Sequence, residues 1–183
     1  MTKRLLVLVA AAAAAAVLGL AAGEAPARAN GGDSAVVAVN TKDGRFVYRV
    51  RLAIHRTGDD VVDQSNAAAA VASCDTCQTV AIAIQALLVF GDPEVVAPEN
   101  LALALNVECT SCQTLASAYQ FLVMDDRPAH FTPEGNRELA AVRHELHTIR
   151  HEGLTIWEIQ ERVDALAARV HAVLVNERVV PGS

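Results

Sequence analysis

Lysine is almost missing from this sequence, which has only Lys3 and Lys42 among its 15 basic residues, while 21 residues are acidic. A chain with a net charge of −6 lacks the basic surface that nucleic acid and anionic lipid require. Catalytic signatures are missing as well, since no Gly-x-Ser-x-Gly motif, phosphate-binding loop or dinucleotide fingerprint occurs. Composition therefore excludes nucleic acid as an expected partner and favours no particular reaction.

The first 29 residues have the pattern of a secretory signal peptide. Met1-Thr-Lys-Arg4 precedes an uncharged run from Leu5 to Gly23, and Ala27-Arg28-Ala29 supplies the small residues for cleavage. We expect residues 1–29 to be removed; an uncleaved membrane anchor is the alternative, because the run approaches the length that spans a bilayer. Cleavage leaves a single domain, 30–183, with 12 basic and 20 acidic residues, secreted or held at the cell surface without membrane contact.

An internal duplication organises the middle of the chain. Cys74-Asp-Thr-Cys77-Gln-Thr-Val-Ala-Ile-Ala-Ile-Gln85 recurs as Cys109-Thr-Ser-Cys112-Gln-Thr-Leu-Ala-Ser-Ala-Tyr-Gln120. Self-similarity of this length predicts a repeated structural unit. The two copies span residues 61–90 and 95–124 of a duplicated region that covers 59–126.

Each copy is predicted to hold two segments, one before and one after its Cys-x-x-Cys motif. Asp63 and Pro98 are typical of helix N-termini, which predicts a helix in the first segment of each copy. The second segments are almost entirely apolar, which indicates burial on every side. Their Val and Ile content leaves buried strands as an alternative to buried helices. The predicted segments are 67–72 and 101–105 before the cysteines, and 80–90 and 115–124 after them.

Residues 30–58 are predicted to form a β-hairpin. Apolar and polar side chains alternate along Phe46–Ile54, and Ala35–Val39 supplies the other strand. Asp43-Gly44 provides the residues that a tight turn favours. Because an isolated hairpin is marginally stable in water, its apolar face should pack on the rest of the domain.

Residues 132–178 are predicted to form an antiparallel helical hairpin. Thr132-Pro133 has the pattern of a helix start, Gly153 ends the first helix, and Thr155-Ile-Trp-Glu158 is a capping box. Apolar residues recur at steps of three and four on both helices, so each helix presents one buried stripe. The stripes are Leu139, Val142, Leu146 and Ile149 on the first helix, and Ile156, Ile159, Val163, Leu166, Val170 and Val173 on the second.

These segments together predict an α+β fold that is mainly helical. In that fold the N-terminal β-hairpin packs with a duplicated helix-CxxC-helix core and with the C-terminal antiparallel helical hairpin.

The four cysteines are the candidate site residues. Outside the cytoplasm paired cysteines form disulfides, and the alternatives are a zinc site or a redox-active dithiol. The 31 residues between the two motifs exceed the gap of roughly 15 to 20 that is usual for paired zinc knuckles. Three connectivities are open, and the polar inner residues favour a ring within each motif over bonds between copies. The predicted disulfide residues are Cys74, Cys77, Cys109 and Cys112.

Three histidines on the first helix suggest a metal site, but their positions argue against one. His144, His147 and His151 lie about 150° from the apolar stripe when each residue turns the helix by about 100°, so they should face solvent. His144-Glu145-Leu-His147 also places its second histidine one residue too early for a helical zinc protease motif. We therefore predict no catalytic, cofactor-binding or metal-binding residue.

Four glutamines recur in the two copies, at spacings of seven. Gln78 and Gln85 in the first copy, and Gln113 and Gln120 in the second, lie among apolar residues. Buried amides are nearly always hydrogen-bonded, so we expect these side chains to be buried and to specify how the copies pack.

The chain resembles a group of uncharacterised secreted proteins of actinobacteria. The matching stretches are Ala38–Gly44, Val62–Asn66, Cys74–Ala83 and Phe131–Gly135. Some members of that group are labelled automatically as peptide zinc metalloproteases, but this chain has neither the protease motif nor the membrane helices of such an enzyme. The resemblance implies a secreted module that could be an accessory of such enzymes.

We accordingly expect an exported, disulfide-stabilised protein with a structural or interaction role and no catalytic one. Its expected partner is a protein or another component of the cell envelope. The alternative is an extracytoplasmic thiol-disulfide or zinc protein that uses the same cysteines.

Overall fold

A computed structural model describes residues 32–180, so the predicted signal peptide lies outside the described residues. In chain order the elements are β1 (Ser34–Asn40), β2 (Phe46–Thr57), β3 (Val61–Val62), β4 (Ser65–Ala72), β5 (Gln78–Phe90), β6 (Val95–Val96), β7 (Glu99–Asn106), β8 (Gln113–Asp125), β9 (His130–Phe131), α1 (Pro133–Thr148), a 3-10 turn (Ile149–His151), α2 (Ile156–Asn176) and β10 (Arg178–Val179). Neither described helix is long and apolar enough to cross a membrane.

The prediction of a mainly helical fold is wrong, because 46% of the structure is strand and 27% is helix. One sheet has the order β1-β4-β7, a second has the order β2-β5-β8, and β3 pairs with β6. The β1–β4, β4–β7 and β3–β6 pairings are all parallel. Strands β9 and β10 form a separate antiparallel pair.

Strand pairing follows the repeat. Ser34 of β1 lies beside Asn66 of β4, and Ser65 at the start of β4 lies beside Glu99 of β7. Val61 of β3 likewise lies beside Val95 of β6, its counterpart in the next copy. Each strand therefore pairs with the equivalent strand of the following repeat, which is the pairing pattern of a parallel β-solenoid.

The first strands do not form the predicted β-hairpin. Strands β1 and β2 belong to different sheets, and the partners of each lie about one repeat further along the chain. The alternation along Phe46–Ile54 indicated a strand correctly, but alternation carries no information about which strand is its partner. The turn at Asp43-Gly44 does exist, with Gly44 at φ 65°, and it connects two sheets.

Residues 34–57, which contain β1 and β2, are a third copy of the repeat. Gly44 N–H donates to Asp75 O at 2.9 Å, and Gln78 N–H donates to Arg45 O at 3.1 Å. These bonds align Lys42-Asp-Gly-Arg45 with the first Cys-x-x-Cys motif. The duplication is therefore a triplication, in which the first turn has no cysteines.

The helices predicted in the first segments of the two copies are also wrong. Residues 67–72 lie in β4 and residues 101–105 in β7, and neither Asp63 nor Pro98 caps a helix. Strand β4 is the central strand of its sheet, and seven of its eight residues are buried. A strand that is buried on both faces loses the alternation of apolar and polar residues by which strands are recognised. The run of alanines in β4 was therefore interpreted as a helix. For segments 80–90 and 115–124 the strand alternative is correct.

The described chain forms two compact units. The first comprises residues 32–51, 64–83 and 99–118, and small aliphatic side chains fill its core. Alanine dominates, so the facing strands can approach closely. The buried members of this cluster are Val36, Ala38, Ala68, Ala70, Ala81 and Ala83, with Val47, Ala116 and Ala118 packed against them.

The second unit comprises residues 52–63, 84–98 and 119–180 and contains both helices. Ion pairs of Arg169 with Glu138 and of Arg162 with Glu145 align α1 and α2 in opposite directions, which confirms the antiparallel helical hairpin. Thr132 caps α1, and the Thr155 capping box opens α2 as predicted. The predicted stripes are buried except at the half-buried Ile156, where the chain enters α2.

Candidate functional site

The two Cys-x-x-Cys motifs form the turns that lead from β4 to β5 and from β7 to β8. In each motif the Cα atoms of the two cysteines are 6.0 Å apart and the sulfurs are at disulfide distance. Cys74 thus pairs with Cys77, and Cys109 pairs with Cys112. This is the connectivity within each motif that the sequence favoured.

Each disulfide ring encloses a residue in the left-handed backbone conformation. Thr76 has φ 52° and Ser111 has φ 55°, while Gly44 occupies the equivalent position of the first repeat with φ 65°. Left-handed backbone costs a residue with a side chain about 1 to 2 kcal/mol, and it costs glycine far less. The ring therefore imposes on Thr76 and Ser111 a turn that the first repeat achieves with glycine.

Hydrogen bonds connect these turns from one repeat to the next. Asp43 Oδ1 accepts the Asp75 N–H at 2.8 Å, and Asp75 Oδ1 accepts the Thr110 N–H at 2.9 Å. Thr76 N–H also donates to Thr110 O at 2.8 Å. Each carboxylate satisfies a backbone donor that a tight turn would otherwise leave without a protein partner. The aspartate at the second position of a turn thus links that turn to the turn of the next repeat.

The two disulfides differ in their access to solvent. Cys74 is 0% exposed and Cys77 is 3% exposed, and both pack beside Ala72. Cys109 and Cys112 are half-buried in the last repeat. Exchange between thiols and disulfides requires access to a sulfur, so the described geometry allows it at Cys109–Cys112 and opposes it at Cys74–Cys77.

An asparagine ladder, which the sequence prediction missed, crosses the first unit. Asn66 is fully buried, and its Nδ2 donates to Ala83 O at 3.3 Å and to Asn100 Oδ1 at 2.9 Å. Asn100 repeats the first bond, because its Nδ2 donates to Ala118 O at 2.9 Å. Asn66 and Asn100 occupy the same position of the two aligned copies, so the recurrence of Asn was the available signal.

The predicted burial of the glutamines holds for Gln85 alone, while Gln120 is half-buried and hydrogen-bonded to it. Gln85 is fully buried, and Gln120 Nε2 donates to Gln85 Oε1 at 2.6 Å, so these amides link the second and third repeats. Gln78 is half-buried and Gln113 is exposed. Burial of Gln113 was predicted wrongly, because β8 is an edge strand of its sheet.

The three helical histidines are exposed, as their helical positions predicted. Within residues 32–180, no three His, Cys, Asp or Glu side chains are grouped so that they could hold a metal ion. The shifted pKa values belong to the helical hairpin. Hydrogen bonds from the Thr155 backbone and side chain lower the pKa of Glu158, and hydrogen bonds to Glu138 and Glu145 raise the pKa of Arg169. Both shifts arise from structural contacts.

Comparison of the chain with protein-family models, curated proteins and solved structures finds no match. The resemblance to secreted actinobacterial proteins therefore remains a prediction.

Proposed function

We propose that this chain is an exported, disulfide-stabilised β-repeat protein with a structural or interaction role and no catalytic one. The observation that carries the proposal is the use of the cysteines in the turns. Both pairs close rings around left-handed residues, and the two cysteines of the second repeat are buried. Cysteines used in this way contribute to stability outside the reducing cytoplasm.

Export and oxidation are tested on the same sample. We expect the protein recovered from outside the cell to begin at Asn30, as N-terminal sequencing would show. Alkylation of the native protein should leave its intact mass unchanged, and alkylation after denaturation and reduction should modify all four cysteines. Native alkylation of four thiols, or a zinc ion retained in native mass spectrometry, would refute the disulfide role.

A thiol-disulfide exchange protein is the second candidate, because Cys109–Cys112 is half-buried rather than enclosed. In that case a dithiol donor would reduce this disulfide by two electrons in the folded protein and would itself become oxidised. Equilibration with glutathione buffers, followed by trapping and peptide mapping, measures this directly. The matched control is Cys74–Cys77, which has the same spacing but is buried. Reduction of both pairs only on unfolding supports the structural role.

A further inference from the structure

Among the described residues, 32–180, strand β7 lies at a free edge of its sheet. It is the last strand in the order β1-β4-β7, and none of its eight residues is buried. Glu99 is its only charged residue, and it contains no proline, glycine or lysine. Edge strands usually carry such residues, because unpaired backbone groups are a template for another strand. Terminal units of repeat proteins likewise need a cap.

The core beside β7 is also open. Ala68 and Ala70 of β4 are fully buried in the alanine-rich cluster, and their register partners in β7 are Ala102 and Ala104. Both alanines of β7 are exposed. At the opposite edge, the corresponding residues of β1, Val36 and Ala38, are buried. Another strand beside β7 would therefore continue the core, whereas the equivalent side chains of β1 are already buried in the single chain.

The sequence of β7 is complementary to itself. Residues 100–106 read Asn-Leu-Ala-Leu-Ala-Leu-Asn, which is a palindrome centred on Leu103. If two copies of β7 pair in opposite directions about Leu103, Asn meets Asn, Leu meets Leu and Ala meets Ala. A two-fold axis through Leu103 produces this arrangement, since each contact then occurs twice.

The backbone N–H and C=O groups of β7 point in the directions that this pairing requires. Glu99 N–H donates to Gln64 O, and Val107 N–H donates to Ala72 O, so the odd-numbered residues of β7 point their amide groups toward β4. Even-numbered residues point theirs to the free edge. Pairing about Leu103 places each even-numbered residue opposite another even-numbered residue, so the free donors and acceptors face each other. A shift of one residue would lose this match.

The charges allow the same pairing. About Leu103, Glu99 of one copy faces position 107 of the other, which is Val107, so no two carboxylates are opposed. The rest of the paired segment is uncharged. Leu101, Leu103 and Leu105, whose side chains are half-buried in the single chain, would form one continuous row on the outer face.

We propose that a second copy of this chain binds at β7, with the two β7 strands antiparallel about Leu103 in a two-fold symmetric dimer. The proposal rests on the edge and sequence of β7 and uses neither export nor the disulfides as an argument.

The test is the mass of the purified full-length protein by analytical ultracentrifugation over a dilution series. We expect twice the chain mass at high concentration and a return to one chain on dilution. Leu103→Lys places two like charges on the symmetry axis and should give one chain mass throughout. The matched control is Val37→Lys, because Val37 has the same register position in β1 at the opposite edge. This control should still dimerise.

A covalent probe keeps the test valid if Leu103→Lys fails to fold. Opposed residues that lie between the hydrogen-bonded pairs of an antiparallel ladder have Cα atoms about 4.5 Å apart, a distance that a disulfide spans. Mild oxidation should therefore crosslink Leu103→Cys into a dimer and leave Val37→Cys uncrosslinked. A parent protein that stays at one chain mass overturns the proposal. Assembly beyond two chains that both lysine variants abolish also overturns it, because that result indicates head-to-tail stacking of β7 on β1.

Discussion

Removal of each disulfide should separate the effect of the ring from that of burial. A ring of four residues restricts the unfolded chain by about 2 kcal/mol in the loop-entropy treatment, and a bond between the two motifs would restrict it by about 4 kcal/mol. Replacing Cys109 and Cys112 together by Ala should therefore lower the free energy of unfolding by about 2 kcal/mol. Replacing Cys74 and Cys77 should cost roughly 1 to 2 kcal/mol more, because their sulfurs are buried.

Glycine at the left-handed position should offset part of that loss. In the Cys74/Cys77 double alanine variant, Thr76→Gly should recover up to about 1 kcal/mol, because glycine adopts the turn without steric cost. The converse control is Gly44→Ala in the first repeat. No atom lies within 4 Å of the added Cβ, so its expected cost of about 1 kcal/mol is purely a backbone effect.

Urea denaturation followed by far-ultraviolet circular dichroism measures each free energy, with the slope against denaturant as a check on the unfolded state. The reasoning fails if the two double alanine variants lose equal stability, or if Thr76→Gly lowers the stability of the variant that lacks the ring. A loss near 4 kcal/mol for Cys109 and Cys112 would instead indicate bonds between repeats.

Two further outcomes concern the helical hairpin. Leu166 is 1% exposed, so Leu166→Ala should lower the free energy of unfolding by about 2 to 5 kcal/mol. Changing the three exposed histidines together to Ala should leave that free energy within about 0.5 kcal/mol of the parent value in the same urea assay. A larger loss for the histidine variant than for Leu166→Ala would contradict the orientation of α1. Hydrogen bonds from Thr155 lower the pKa of the Glu158 carboxyl below the ordinary value of a glutamate side chain. The carboxylate therefore stabilises the folded state above that value, and this contribution is lost as the pH falls through the folded pKa. Melting curves of the parent and Glu158→Gln should accordingly converge in acid, and a difference that widens there would argue against the capping box.

The helical hairpin was predictable because its signals are local. Thr132, Pro133 and the Thr155 capping box act within one turn of helix, and the stripes need only one sequence period. Parallel strands have no such local signal, since the partner of Ser34 is Asn66. The cysteine pairing could be favoured from the sequence but not decided, because ring geometry depends on the turn.

The missed third repeat shows what sequence similarity detects. Identity of the cysteines and glutamines revealed two copies, but Lys42-Asp-Gly-Arg45 shares only its aspartate with Cys74-Asp-Thr-Cys77. The backbone turn is the same in both, because glycine in one repeat and a disulfide in the other satisfy one conformational requirement. The asparagine ladder was visible as recurring Asn66 and Asn100, yet its hydrogen bonds become evident only once parallel pairing is known.

The alanine-rich core has a thermal consequence. Unfolding raises the heat capacity in proportion to the apolar surface that becomes exposed, while exposed polar backbone lowers it. Alanine contributes little apolar surface per residue, and the first unit is built around it. The heat-capacity change on unfolding these strands should therefore fall below the usual value of about 12 to 15 cal/mol/K per residue. Its stability would then vary only gently with temperature, so cold should weaken this core less than it weakens one built of leucine and phenylalanine.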